Sequence, residues 1–269
     1  MDGFCKNRVS DSMTYAKRES PRGKRVSLFV TCMVDMLYPQ TGMAVVKVLE
    51  HLGVEVDFPM AQTCCGQPAF NAGYRREARL VAEQFLKTFA DAEVIVIPSG
   101  SCAAMVRHEY PQLFADDPVR RQAAERLASI TWEFTEFLVD GLGITDLHAK
   151  LPAPATFAFH DSCHGLRLMG LGAAGRQLVG QIENATVVEM EDHDVCCGFG
   201  GLFAVKMADV SGAMLAEKLE HVAECPAQVL GVDVSCQLHI NGGLEKMGSP
   251  RRMRHVADVL AEALEEKGE

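Results

Sequence analysis

Four cysteines recur, in the same order and at nearly the same spacing, in the two halves of this 269-residue chain. Cys32, Cys64, Cys65 and Cys102 are answered by Cys163, Cys196, Cys197 and Cys236, at offsets of 131, 132, 132 and 134 residues. The neighbours repeat too: Thr63-Cys64-Cys65-Gly66 matches Val195-Cys196-Cys197-Gly198, and Ser101-Cys102 matches Ser235-Cys236. A period this long means two related domains, because solenoid repeats run to only ~20–50 residues. Cys5 and Cys225 have no counterpart and are read as structural or incidental.

Both halves follow one plan. Arg25–Thr31 is an apolar run with the character of a buried strand, and Gly42–Leu52 has helical apolar spacing with Gly53 placed to end it. Val54–Phe58 and Ala92–Pro98 are further strands, with an amphipathic helix over Ala72–Ala90 between them. The second half repeats this with Ala155–His160, Leu171–Gln181, Thr186–Met190, Val205–Glu224 and Gln228–Val234. Strands alternating with helices predict an α/β fold: two tandem Rossmann-like domains, each with a parallel βαβ sheet, related by internal duplication. Pro118–Gly143 reads as extra helix, Pro152 and Pro154 as the junction, and Arg251–Glu266 as a terminal helix without a partner in the repeat. The expected division is a flexible basic tail over residues 1–24, a first domain over 25–150, and a second over 151–269 with the C-terminal helix.

On this plan every repeated cysteine follows a strand. Loops beyond the carboxyl ends of adjacent parallel strands converge on one crevice, where open α/β sheets bind ligands. The spacing therefore predicts four convergent thiols per half. Thiolate is a soft ligand, and a Cys₄ set suits an iron–sulfur cluster or zinc. Zinc knuckles use C-x-x-C, which is absent here, and adjacent cysteines suit several irons better than one tetrahedral ion. Iron–sulfur is favoured, with zinc as the alternative for one site.

Charge and composition exclude other classes. Residues 1–25 hold seven Lys/Arg against three Asp/Glu, so of the net charge of −10 the remainder carries −14. That acidic body argues against a nucleic-acid partner. No run approaches the ~18 apolar residues of a membrane span, and no apolar core of a secretory leader is seen near the start. Ten cysteines without such a leader point to metal or redox chemistry in a cytoplasmic setting rather than to a disulfide framework.

The pattern resembles the cysteine-rich CCG domain, which occurs twice in heterodisulfide reductase and also in the iron–sulfur subunits of glycolate and anaerobic glycerol-3-phosphate oxidation. With two such domains and no ferredoxin module, the chain most resembles the lactate utilization protein A family, through TCMVDMLYP, TCCGQPAFNAG, PSGSC, HDSCHGLR and DVCCGFGG. The resemblance covers residues from about 26 to 255. It implies an iron–sulfur electron-transfer subunit of an L-lactate oxidising complex, a non-autonomous component of an oxidoreductase. Its implied partners are a ferredoxin-type iron–sulfur protein and a further subunit. It also implies that the eight repeated cysteines bind the cofactor, one or two [4Fe–4S] clusters per chain. The family's full pattern ends in C-x-x-C, whose first position is here Ser99 or Asp233. That departure favours a single cluster per half over a fused pair. A heterodisulfide-reductase-like thiol/disulfide oxidoreductase and a zinc-stabilised scaffold without redox chemistry are the alternative readings.

Around the cysteines, His160 and His164 flank Cys163, and with Arg167, Ser99 and Asp233 they are candidate outer partners of the centres. Each also has an ordinary reading as a hydrogen-bonding residue at a strand end or loop. Gly170-Leu-Gly-Ala-Ala-Gly175, with Glu189 further on, mimics a dinucleotide fingerprint. Roughly ten residues separate it from its strand, however, so a glycine-rich helix entry explains it better. A lone cysteine nucleophile is disfavoured by eight cysteines in matched sets.

Overall fold

In a computed structural model, residues 18–265 are described. The first half runs β1 (Val26–Leu28), α1 (Cys32–Leu37), α2 (Pro39–His51), β2 (Val56–Asp57), α3 (Gln67–Asn71), α4 (Arg75–Thr88), β3 (Val94–Ile97) and α5 (Gly100–Ala104). A π-helical turn then leads to α6 (Tyr110–Leu113), α7 (Pro118–Ile130), β4 (Thr131–Glu133) and α8 (Phe134–Glu136). The second half runs β5 (Lys150–Phe159), α9 (Cys163–Met169), α10 (Ala174–Gly180), β6 (Glu183–Val187), α11 (Phe203–Lys206), α12 (Ala208–Glu224), β7 (Gln228–Gly231), α13 (Val234–Lys246), β8 (Arg254–His255) and α14 (Val256–Glu265).

The strands form two four-stranded parallel sheets, ordered β2-β1-β3-β4 and β6-β5-β7-β8. The identical order is the duplication in three dimensions. The buried run Val94–Ile97 lies at the centre of one sheet, where apolar residues cover both faces of the strand. One apolar core spans both halves, joining Val26, Val45 and Phe137 to Phe157, Leu178, Val256 and Leu260. Helix α14 packs on α2 of the other half, with Lys47 and Glu265 paired at 2.6 Å.

Three local expectations change. The extra helix over Pro118–Gly143 contains β4, which follows α7 with no Gly or Pro to mark the break. The segment Arg251–Glu266 begins with β8, so the terminal helix has a counterpart after all: β4–α8 matches β8–α14 in topology. Pro152 and Pro154 lie within β5, at its solvent-exposed beginning, rather than in a linker. Of the expected tail, residues 1–17, including Cys5, fall outside the described residues. Arg18 lies 3.4 Å from the Trp132 ring centre, donates to the Thr131 carbonyl at 3.0 Å and pairs with Glu136. Cys225 is buried in the apolar cluster of the second half. No helix among the described residues is long and apolar enough to cross a membrane.

Candidate metal centre

The three turns that leave β1, β2 and β3 at their carboxyl ends carry Cys32, Cys64-Cys65 and Cys102, and those after β5, β6 and β7 carry Cys163, Cys196-Cys197 and Cys236. Cys32 and Cys163 open α1 and α9, while Cys102 and Cys236 lie in the first turns of α5 and α13. The CCG turns need their glycine. Gly66 has φ +82° and Gly198 φ +86°, and a Cβ on Gly198 would meet the Ser211 carbonyl oxygen at 2.8 Å. The turn aims an amide back at sulfur: Gly66 N–H donates to Cys64 Sγ at 3.3 Å, and Gly198 N–H to Cys196 Sγ at 3.4 Å.

The thiols meet as the spacing predicted. Cys32 and Cys64 sulfurs are 3.6 Å apart and Cys65 and Cys102 3.2 Å; Cys163 and Cys196 are 3.9 Å apart. All eight line one cavity of about 290 Å³ between the halves. Crowded sulfurs compete for protons. The Cys32 and Cys65 thiols, with the Gly66 amide, hold Cys64 down to about 3, while Cys32 is pushed up by its bond to Cys64 and by burial. In the second half Cys163 and Cys197 hold Cys196 down to about 2, and Cys163 rises in turn. Cys236 is lowered to about 7 by Cys197 and then by His160. A soft cation entering such a set replaces protons that the sulfurs already share. The donor chemistry fits a thiolate-bound metal or cluster in each half.

Ser99 and Asp233 stand where the two halves touch. Ser99 Oγ caps α5 by accepting from Cys102 N–H at 3.3 Å, and Asp233 caps α13 by accepting from Ser235 N–H at 3.1 Å. The same Asp233 carboxylate reaches across to Ser101 N–H at 2.8 Å and Ser99 Oγ at 3.3 Å. Gly100 fits beneath, where a Cβ would come within 3.0 Å of Gly165 Cα on α9. The two expected outer partners thus cap helices and join the halves at the cavity floor.

His164 lines the cavity with Nδ1 3.4 Å from Cys163 Sγ, whereas Arg167 faces solvent on α9 away from the cavity lining. His160 is 1% exposed beside Cys197 and Cys236. The fingerprint glycines serve packing: Gly170 ends α9 at φ +71°, and a Cβ on Gly175 would meet the Phe159 ring at 2.9 Å. Glu189 pairs with Arg176.

Sequence reasoning passed over Lys218. Its side chain is buried on α12, and its ammonium donates to the Asp192 carbonyl at 2.5 Å, with the Cys197 and Cys196 sulfurs acting on its charge. Burial lowers its pKa. The signal was present: Leu215, Leu219 and Val222 form an apolar stripe, and Lys218 interrupts it at helical spacing. Tyr110 was also passed over; its hydroxyl donates to the Cys65 carbonyl at 2.9 Å from a fully buried position.

The cysteine-rich CCG domain is matched twice, over residues 26–107 and 157–241. Lactate utilization protein A of Exiguobacterium sp. is 50% identical over 244 residues, 90% of this chain and 98% of that protein. The chain belongs to the lactate utilization protein A family. Lactate utilization protein A of Geobacillus thermodenitrificans is 46% identical over 88% of this chain and 98% of that protein. That of Halalkalibacterium halodurans is 45% identical over 88% and 96%. The tandem CCG domains of this family coincide with the two parallel sheets and their cysteine turns.

Proposed function

We propose that this chain is the iron–sulfur electron-transfer subunit of a cytoplasmic L-lactate oxidising system, working with a ferredoxin-type iron–sulfur protein and a further subunit. The observation that carries the reading is the pair of matched four-thiol sets lining one cavity. The names of the relatives supply lactate as the substrate of the system. Cys32, Cys64, Cys65 and Cys102 would hold one centre, and Cys163, Cys196, Cys197 and Cys236 the other. Bound there, an iron–sulfur cluster supplies one-electron transfer, with a potential set by hydrogen bonds to sulfur and by burial.

The chain's own residues do the rest. The Gly66 and Gly198 amides donate to sulfur, which favours the thiolate form and the electron-rich state of whatever it holds. Gln67 Nε2 holds the Ser101 carbonyl at 3.0 Å, fixing the α3 turn against the α5 turn. The loops after the two CCG turns approach each other at the cavity, with Gly201 against Pro68. The thiol/disulfide alternative draws on a five-cysteine set, and its fifth position is here held by Ser99 and Asp233, engaged in capping. That favours a single cluster per half. Recombination with the two partner proteins tests the role: lactate oxidation coupled to an acceptor is expected to require Cys197. Equal rates with Cys197→Ser would contradict an electron relay through this chain.

A further inference from the structure

The second half holds a buried imidazole whose only polar company is the thiol sulfur of Cys197 and Cys236. His160 is 1% exposed, and neither Nδ1 nor Nε2 has a hydrogen-bond partner. A buried polar group in that state carries a free-energy penalty unless something absent from the polypeptide completes it. The neighbouring carboxylates are already engaged. Asp161 is paired with Arg176 at 2.8 Å and with His193 at 2.7 Å, and Asp233 with Ser99, Ser101 and Ser235. What does face His160 is sulfur: one ring nitrogen and the Sγ atoms of Cys197 and Cys236 all lie within 4.8 Å of one another.

The first half has no such group. Three residues before Cys32, where His160 precedes Cys163, stands Phe29, fully buried with its ring edge-on to Phe85 at 5.0 Å. The first set thus has hydroxyls at hand, Thr31 among them, and the Phe29 ring where the second has an imidazole. Imidazole and thiolate are both good ligands for iron and zinc, and nitrogen in place of sulfur shifts a cluster potential upward.

We propose that His160 is a nitrogen ligand of the second-half metal centre, sharing it with Cys197 and Cys236 and taking one of the four ligand positions in place of one of the other two thiolates, so that the two centres of the duplicated fold differ in kind: thiolate alone in the first, thiolate with imidazole in the second. The inference rests on the reading of these cavities as metal centres. It is tested by electron spin-echo envelope modulation of the reduced, anaerobically prepared full-length protein, made with natural-abundance and with ¹⁵N-labelled histidine. The expected result is a strong directly bonded nitrogen coupling that changes isotope pattern with the label, is lost in His160→Phe and persists in His164→Ala. If His160→Phe does not load its second centre, persistence of the coupling in an alanine variant of each of the other eight histidines assigns it by elimination.

Iron and sulfide present with no histidine coupling, or only the weak coupling of a hydrogen-bonded ring, would overturn the ligand and leave the electron-transfer reading standing. Loss of the coupling in an alanine variant of any other histidine would overturn it as well. Should zinc occupy the second half without sulfide, the electron-transfer reading fails there, and zinc-edge X-ray absorption decides the ligand: nitrogen scattering that disappears in His160→Phe supports it, and an all-sulfur shell overturns it. A second half that binds no metal overturns it outright.

Discussion

The two halves share a sheet order and a cysteine set yet surround their thiols with different chemistry. At positions related by the cysteine offsets, Phe29, Met33, Leu86 and Met105 of the first half stand where His160, His164, Lys218 and His239 stand in the second. In the first half Cys65 and Cys102 belong to one apolar cluster with Phe29, Phe85 and Met105. In the second, Cys197 and Cys236 also lie in an apolar cluster, with Met190, Leu219 and Ile240, but the buried Lys218 ammonium and the imidazoles of His160 and His164 approach the same turns. Duplication retained the cysteines and left the groups around them free to diverge. Two matched sets of four thiols in unlike surroundings would hold their centres at different potentials.

The sharpest way to break this comparison is to remove one set at a time. Cys65→Ser is expected to abolish the first centre and leave the second, and Cys197→Ser the reverse, each read as loss of about half the bound iron and of one EPR component. Loss of all iron from either variant would mean that the halves hold a single shared centre.

A second contrast lies at the edge strands. β4 ends in Glu133 and β8 in His255; both are fully buried, and each accepts a hydrogen bond from the amide two residues on. Burial pushes the Glu133 carboxyl up to about 8. Between its ordinary value of 4.5 and about 8 the native chain keeps a proton that the unfolded chain releases, so Glu133 costs stability as pH rises. The slope is about 1.4 kcal/mol per pH unit, flat above the native value. Glu133→Gln is expected to remove that slope in denaturant titrations from pH 5 to 8. Burial lowers His255, so its contribution runs the other way: stability falls as pH drops below 6.5, because the unfolded chain takes up a proton that the native site refuses. A Glu133→Gln chain with an unchanged pH slope would show that the carboxyl is ionised in place.

Smaller effects separate the CCG turns. Gly198→Ala drives a Cβ against the Ser211 carbonyl, 2.8 Å away, whereas Gly66→Ala meets the Ala78 carbonyl at 3.3 Å; both demand positive φ. Gly198→Ala is expected to cost about 3 kcal/mol and Gly66→Ala about 1, measured by urea unfolding. Equal costs would mean that the second turn relaxes freely. Least in size, Lys218→Met is expected to lower the potential of the second-half centre by roughly 50 mV in an EPR-monitored titration, about 1 kcal/mol of charge interaction, with the first unchanged.

Much of this was legible in the residues. The cysteine offsets located all three site-forming turns of each half, because a ligand set fixes spacing that drift in the rest of the chain leaves intact. The apolar run Val94–Ile97 announced a central strand. The fourth strands were not legible: Thr131–Glu133 and Arg254–His255 are two or three residues long, too short for a period, and owe their pairing to the neighbouring strand. Ser99 and Asp233 were recognised as special positions, but their contact across the halves depends on how two sheets face each other, which no local pattern encodes. Phe29 and His160 became informative only when the structure showed which ring had partners and which had none.

A thiolate-bound iron–sulfur centre in each half is the claim on which the proposed role stands. Its most direct test is the iron, acid-labile sulfide and zinc content per chain after anaerobic purification, with an EPR spectrum of the reduced sample. The expected result is matched iron and sulfide, about four of each per loaded half, and cluster signals lost in the corresponding Cys→Ser variants. Zinc without sulfide, and no signal from freshly prepared protein, would contradict it.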